Sequence, residues 1–225
     1  MKKIALILVS VSCALTAHAI TIFDDFNSGN TYDLTNAWNL GGGNVGAGFT
    51  DVAAQFVAGG TGFLSTVDLG VTYISQSPVS AYLYADAAGM PDNLNQIFLG
   101  SGTPTGQFNT TNNYVLSLSV SNVAPVTVGT TYWLVLKIAD PVNGFDQWNW
   151  NTTGAVGAVD LTFDDSNWIQ VSPTITLPAF RLLASELPPT PTQPGNGVPE
   201  SGGTLAMLVG TMATLFGFRR LTAEV

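Results

Sequence analysis

The chain has 225 residues with 15 acidic and 6 basic side chains, one Cys and one His, for a formal net charge of −9. So acidic a chain repels polyphosphates and anionic lipid, which argues against nucleic acid as a partner and against direct docking on anionic membranes. Otherwise the acidity reads as a device for solubility.

Residues 1–19, MKKIALILVSVSCALTAHA, carry two lysines, an apolar stretch from Ile4 to Leu15, and the small-x-small triplet Ala17-His18-Ala19. That pattern is a secretory signal peptide, with Ile20 as the expected mature N-terminus. Cys13 could be read as a lipoprotein acylation site, but Ser10 stands where such a site wants an aliphatic residue, so Cys13 reads as part of the discarded segment. Cleavage would remove both Cys13 and His18. The mature chain would then have no disulfide, no thiolate and no imidazole, which excludes Cys/His zinc sites and Cys–His or Ser–His–Asp catalysis. Between Ile20 and Val198, setting aside Glu200 and Glu224 leaves 13 acidic residues. Setting aside Lys2, Lys3, Arg219 and Arg220 leaves Lys137 and Arg181 as the cations of a body near −11.

From Ile20 to Glu186 the chain reads as one domain, long enough to bury roughly 70% of its unfolded surface. Gly, Asn, Ser and Thr punctuate it, and short alternating stretches replace any long 3.6-residue period. SAYLYAD sets Ala81, Leu83 and Ala85 against Tyr82 and Tyr84. TTYWLVLKIAD sets Tyr132, Leu134, Leu136 and Ile138 against Trp133, Val135 and Lys137. PAFRLLAS sets Phe180 and Leu182 against Arg181 and Leu183. DVAAQFVAG, FLSTVDLGVTYI, NYVLSLSV and FDQWNWN are further strand candidates. DAAGMPDNLNQ, residues 86–96, reads as a long turn with room for a brief helical turn from Asp92 to Gln96. Many short strands between turn residues predict an all-β fold, a single antiparallel, jelly-roll-like β-sandwich.

After the domain, residues 187–197, LPPTPTQPGNG, read as a semi-rigid Pro-rich linker. An apolar run follows from Gly202 to Phe218. As a helix it would reach about 25 Å, the lower limit for a membrane span. Arg219 and Arg220 then act as a membrane stop, with residues 221–225 as a cytoplasmic tail under the positive-inside rule.

This tail, Val198-Pro199-Glu200-Ser201-Gly202, then a short apolar helix, then Arg219-Arg220, resembles the PEP-CTERM class of bacterial sorting signals. It is nearest the variant reading Val-Pro-Asp-Ser-Gly, with Glu200 in place of the Asp. The resemblance implies an exosortase, a membrane cysteine protease, as processing partner. It also implies transient inner-membrane insertion and a body released or transferred to the cell surface. The ordinary alternative is a single-span anchor. AAQFVAGGTGFLSTVDLGV, SAYLYADAAGMPDNLNQIFLGSG and VTVGTTYWLVLKI with the Trp-rich stretch after it are similar to the choice-of-anchor domains, type R in particular. Those are extracellular β-sandwich modules. Asp92 stands where that family's turn often has glycine, and the resemblance carries over no catalytic residue.

Two constellations are candidate sites. On a strand, Asp146, Trp148 and Trp150 share one face of FDQWNWN, while Gln147, Asn149 and Asn151 share the other. Sugar C–H faces stack on indoles, and carboxylates and amides pair with hydroxyls, so the strand is a candidate carbohydrate site. Its other reading is core or edge cover, since Trp is usually heavily buried. Tyr82 and Tyr84 are a weaker case of the same kind. The carboxylate pairs Asp24-Asp25 and Asp164-Asp165 are hard oxygen ligands suited to a structural calcium ion, or else solvated turns. No other cofactor is expected. Glycoside hydrolysis needs two carboxyls facing across a sugar at about 5–10 Å, which adjacent strand residues do not provide.

The expected function is that of an exported, non-catalytic module of the cell surface or extracellular matrix, associated with exopolysaccharide. The alternatives are a purely structural or adhesive surface protein and a carbohydrate-active enzyme.

Overall fold

The computed structural model describes residues 19–41, 51–164 and 167–186. The expected signal peptide up to residue 18, Asp165, the expected Pro-rich linker, the Val198–Gly202 motif, the apolar run, Arg219-Arg220 and residues 221–225 lie outside the described residues. Within them every regular element is a strand, and no helix is long and apolar enough to cross a membrane.

The strands in chain order are β1 (Ile20–Asp24), β2 (Ala37–Gly41), β3 (Asp51–Val57), β4 (Gly62–Leu69), β5 (Val71–Ser75), β6 (Val79–Ala87), β7 (Met90–Gly102) and β8 (Gly106–Gln107). There follow β9 (Leu116–Ser119), β10 (Pro125–Val126), β11 (Thr131–Ile138), β12 (Phe145–Asn149), β13 (Val156–Thr162), β14 (Ile169–Thr176) and β15 (Phe180–Ser185). They form a six-stranded sheet, β14-β13-β3-β11-β6-β7, a five-stranded sheet, β1-β15-β4-β10 with β9 also on β4, and a four-stranded sheet, β2-β12-β5-β8. All pairings are antiparallel except the two-residue contact of β5 with β8. The fold is thus all-β and sandwich-like, as expected.

Alternation places the core. In β11, Leu134 and Leu136 point inward with Leu83 and Ala81 of β6 and Val52 and Ala54 of β3. They meet Leu64, Val67 and Leu69 of β4 and Phe180 and Leu182 of β15. Leu40, Val71 and Trp148 of the four-stranded sheet join the same core. Each fully buried Leu or Phe contributes about 1.5–3 kcal/mol relative to exposure, so this cluster dominates the fold's stability. The faces read from SAYLYAD, TYWLVLKI and FRLLAS all hold.

Two expectations change. FLSTVDLGVTYI is not one strand: it breaks at Gly70, where the chain leaves the five-stranded sheet for the four-stranded one. The Gly70 amide donates to Ala179 O at 2.9 Å. A Cβ at this position would lie 3.0 Å from the Tyr32 ring and 3.1 Å from Ala179 Cβ. The close approach of these backbones is what requires glycine. Residues 86–96 are not a long turn either. Ala88 (φ 56°) and Gly89 (φ 86°) alone turn the chain between β6 and β7, both in the left-handed region that a two-residue hairpin turn needs. In place of a helical turn at Asp92–Gln96, β7 carries a multi-residue bulge, with residues 92–95 opposite Ala85 alone. The register jumps from Tyr84↔Gln96 to Asp86↔Pro91, and Asp92 Oδ1 accepts the Leu94 amide at 3.0 Å within it. Pro91 is tolerated because β7 is an edge strand.

Candidate functional site

The Trp-rich strand turns inward. Trp148 is 0% exposed, lies 5.8 Å ring to ring from Phe180, and donates its indole N–H to Ala179 O at 3.1 Å. Its face is closed by the core, so it has no surface on which a sugar could stack, and the expected Trp148/Trp150 platform is corrected. The physical reason is that β12 lies inside its sheet, between β2 and β5, with this face directed at β15. Trp150 is half-buried against Trp38 at 6.1 Å. The amides of the opposite face are consumed internally as well. Gln147 donates to Asn39 Oδ1 at 2.8 Å, Asn149 to Asp33 O at 2.9 Å, and Asn151 to Leu177 O at 2.7 Å. What looked like a ligand-ready row is a polar seam holding loops to the sheet.

Asp146 shares this interior. It is 0% exposed, and neither carboxylate oxygen makes a hydrogen bond. Burial pushes it up to about 7; the nearby Ser77 backbone moderates the rise without forming a hydrogen bond of good geometry. It is not placed to meet a ligand.

Of the two carboxylate pairs, Asp24, Asp25 and Asp164 each accept a backbone amide. Asp24 accepts the Phe26 amide at 3.0 Å. Asp25 accepts the Phe180 amide at 2.7 Å, and burial, opposed by that bond and aided by the Asp24 charge, pushes it up to about 8. Asp164 caps the turn after β13, accepting the Asn167 amide at 2.8 Å. Among the described residues no group of three or more Asp, Glu, His or Cys side chains could hold a metal ion. Asp24 and Asp164 thus accept local backbone amides, Asp25 ties the end of β1 to the start of β15, and Asp165 lies outside the described residues.

An open pocket of ≈ 280 Å³ lies where β6 and β7 face β10, lined by Leu83, Ile97, Pro125 and Tyr132 among others. That volume is below the usual range for small-molecule sites.

The richer arrangement is the outer face of the six-stranded sheet. The outer face of a two-layer sandwich is normally polar, yet here Ala53, Tyr84, Trp133, Val135 and Ala158 form a second buried cluster, with Tyr82 and Trp168 packed on it. Register sets the pattern. Trp133 sits between Gln55 and Tyr84, Val135 between Ala53 and Tyr82, and Lys137 between Asp51 and Ser80. Tyr82 and Tyr84 in turn face Phe98 and Gln96. Four rings run in sequence over the sheet. Trp168 to Tyr84 is 6.1 Å, Tyr84 to Tyr82 6.4 Å and Tyr82 to Phe98 5.3 Å, each pair edge to face. Such pairs satisfy the aromatic quadrupoles and lock the rings in place.

Polar groups fix the array. Asp86 Oδ1 accepts Trp133 Nε1–H at 2.8 Å and Gln55 Nε2–H at 3.2 Å. Tyr84 O–H donates to Gln96 at 2.7 Å. Asn93, carried outward by the β7 bulge, accepts Trp168 Nε1–H at 2.8 Å. Lys137 Nζ lies 5.5 Å from the Tyr82 ring centre and 3.1 Å from Asp51. Asp160, next to Ala53 in the register, is fully buried with neither oxygen hydrogen-bonded; burial and then the Asp86 charge push it up to about 7. Tyr82 is half-buried, Phe98 is 38% exposed, and Asp86 and Gln96 are exposed. The face offers rigid rings flanked by amide and carboxylate acceptors, a chemistry that suits hydroxyl-rich ligands. Sequence reasoning had placed Tyr82 and Tyr84 together but missed Trp133, Phe98 and Trp168 as their companions. The available signal was that both faces of TYWLVLKI are apolar.

No protein-family model matches the sequence, and no curated protein matches it. Among solved structures the chain is similar to the cysteine protease and lectin-like domains of Cwp84, a surface layer associated protein of Clostridium difficile. The TM-score is 0.45 and the identity 12%, over 62% of this chain and 33% of that one. The chain thus spans about a third of that structure's length, and a likeness of this degree carries no argument about function.

Proposed function

We propose that the protein is an exported, non-catalytic module of the cell surface or extracellular matrix that engages exopolysaccharide. In this reading a signal peptide and a short C-terminal membrane helix flank a jelly-roll-like sandwich, and an exosortase-type protease cuts at Val198–Gly202. Arg219-Arg220 hold the intermediate in the inner membrane until then. The observation that supports it best is the aromatic outer face of the six-stranded sheet, with Tyr82 and Phe98 reaching solvent beside Gln55, Asp86 and Gln96. A second reading, a structural or adhesive protein without a small ligand, is favoured by the closure of Trp148 inside the core.

Fractionation of producer cells with mass analysis of the C-terminus tests the sorting half. A released or surface-attached body ending near Val198–Gly202 is expected. Full-length protein in the inner membrane, still bearing Arg219-Arg220, would refute processing. Co-sedimentation of the mature protein with the producer's own polysaccharide tests the binding half, and its absence would favour the structural reading.

A further inference from the structure

We infer that the outer face of the six-stranded sheet binds uncharged glycan chains and discriminates against polyanionic ones, with Tyr82 and Phe98 as the stacking surface. This rests on the polysaccharide reading above and names its ligand class and site. Charge makes the choice. Asp51 of β3 and the ammonium of Lys137 of β11 pair with each other on this face and Asp160 of β13 is fully enclosed, which leaves Asp86 of β6 as the exposed charge of the face. That ammonium is already bound to Asp51 at 3.1 Å, is only 19% exposed, and sits over the Tyr82 ring. Arg181, the other cation among the described residues, is on β15 of the five-stranded sheet, where it donates to Asp68 at 2.9 Å. A chain of uronates or sulfated sugars would bring its charges against exposed Asp86 with no cation to receive them.

A neutral glycan meets the opposite situation. Its C–H faces carry partial positive charge and stack on the negative faces of aromatic rings. Its hydroxyls can donate to the carboxylate of Asp86 and to the amide oxygen of Gln55. The rings are preorganised: Tyr82 and Phe98 are set edge to face at 5.3 Å, and Tyr84 behind them is tied to Gln96. Ordering cost on binding is therefore small.

The test uses the mature secreted protein, a panel of neutral α- and β-linked glucans and mannans, a polyuronate, and the variants Tyr82→Ala and Phe98→Ala. The expected result is binding to at least one neutral polymer, little changed by added salt, and weaker or absent binding to the polyuronate. Each variant should weaken neutral binding by about tenfold, the scale of one lost stacked ring. Phe98 lies on an edge strand and is 38% exposed, so its variant reads binding even if Tyr82→Ala unfolds. Polyuronate binding as tight as that of the neutral polymers would overturn the inference and leave the polysaccharide reading standing. The same holds for neutral binding that both folded variants retain. If none of these polymers nor the producer's own polysaccharide binds, the broader reading falls with it.

Discussion

Replacing Asp146 with Asn tests how the interior treats a charge. Asp146 is fully enclosed beside the core, with no hydrogen bond to either oxygen, and burial pushes its carboxyl from the ordinary 3.8 up to about 7. A group raised in the folded state holds a proton there that the unfolded chain has released. Between about pH 4 and pH 7 the folded state therefore binds more protons than the unfolded one, and stability falls as pH rises through that window. At about 1.4 kcal/mol per pH unit the loss approaches roughly 4 kcal/mol, and relaxation around the ionised group would reduce it to about 2–4 kcal/mol. Asn has nearly the same shape and does not titrate. Asp146→Asn should therefore raise stability relative to the parent at about pH 9 and change it little at about pH 3, below the ordinary carboxylate value. For a domain of this size the gain at the higher pH amounts to several degrees in Tm, at about 2–4 °C per kcal/mol. Thermal or urea unfolding of both proteins at both pH values measures the difference of differences, in which Asp25 and Asp160 cancel. An equal effect at the two pH values would show that the carboxylate is not ionised at a cost in the interior, and the reasoning would fail.

Other outcomes follow from the same structure. Trp148→Ala should destabilise by about 3–5 kcal/mol in denaturant unfolding, since it empties a closed site beside Phe180. A variant of unchanged stability would contradict the burial. Gly89→Val places a β-branched residue at φ 86° in the β6–β7 turn and should cost about 1–2 kcal/mol, whereas Gly89→Asn should cost less; equal costs would argue against the left-handed turn. Arg181→Met removes the ion-pair partner of Asp68, which is 4% exposed, and should destabilise by about 3 kcal/mol in urea unfolding, whereas Arg181→Met combined with Asp68→Leu should recover much of that loss. An equal loss in the single and double variants would assign the role of Arg181 to packing over Phe26 instead.

The sandwich was legible because β strands alternate with period two. TYWLVLKI, SAYLYAD and FRLLAS each divide into the two sets of side chains that the structure separates. Elements whose identity depends on non-local pairing were not legible. β1 and β2 lack a distinct pattern of their own and are strands because β15 and β12 supply their hydrogen bonds. FLSTVDLGVTYI hides its break at Gly70 because the need for glycine arises from Tyr32 and Ala179, distant in sequence. The Ala88-Gly89 turn was hidden by the bulge that follows it, which fills the stretch with polar residues typical of a loop.

The candidate site divides along the same line. By itself the sequence determined the charge balance of the body, the export and sorting expectations at its two ends, and which side chains of each strand lie together. Periodicity cannot say which of two faces is turned inward, because that depends on which sheet packs against it. Only the tertiary structure decided that Trp148 faces Phe180 in the core, and that Tyr82 and Phe98 reach water on the outer face of the six-stranded sheet. The aromatic residues suited to a ligand were present in both stretches. Burial, set by contacts between strands far apart in the chain, selected between them.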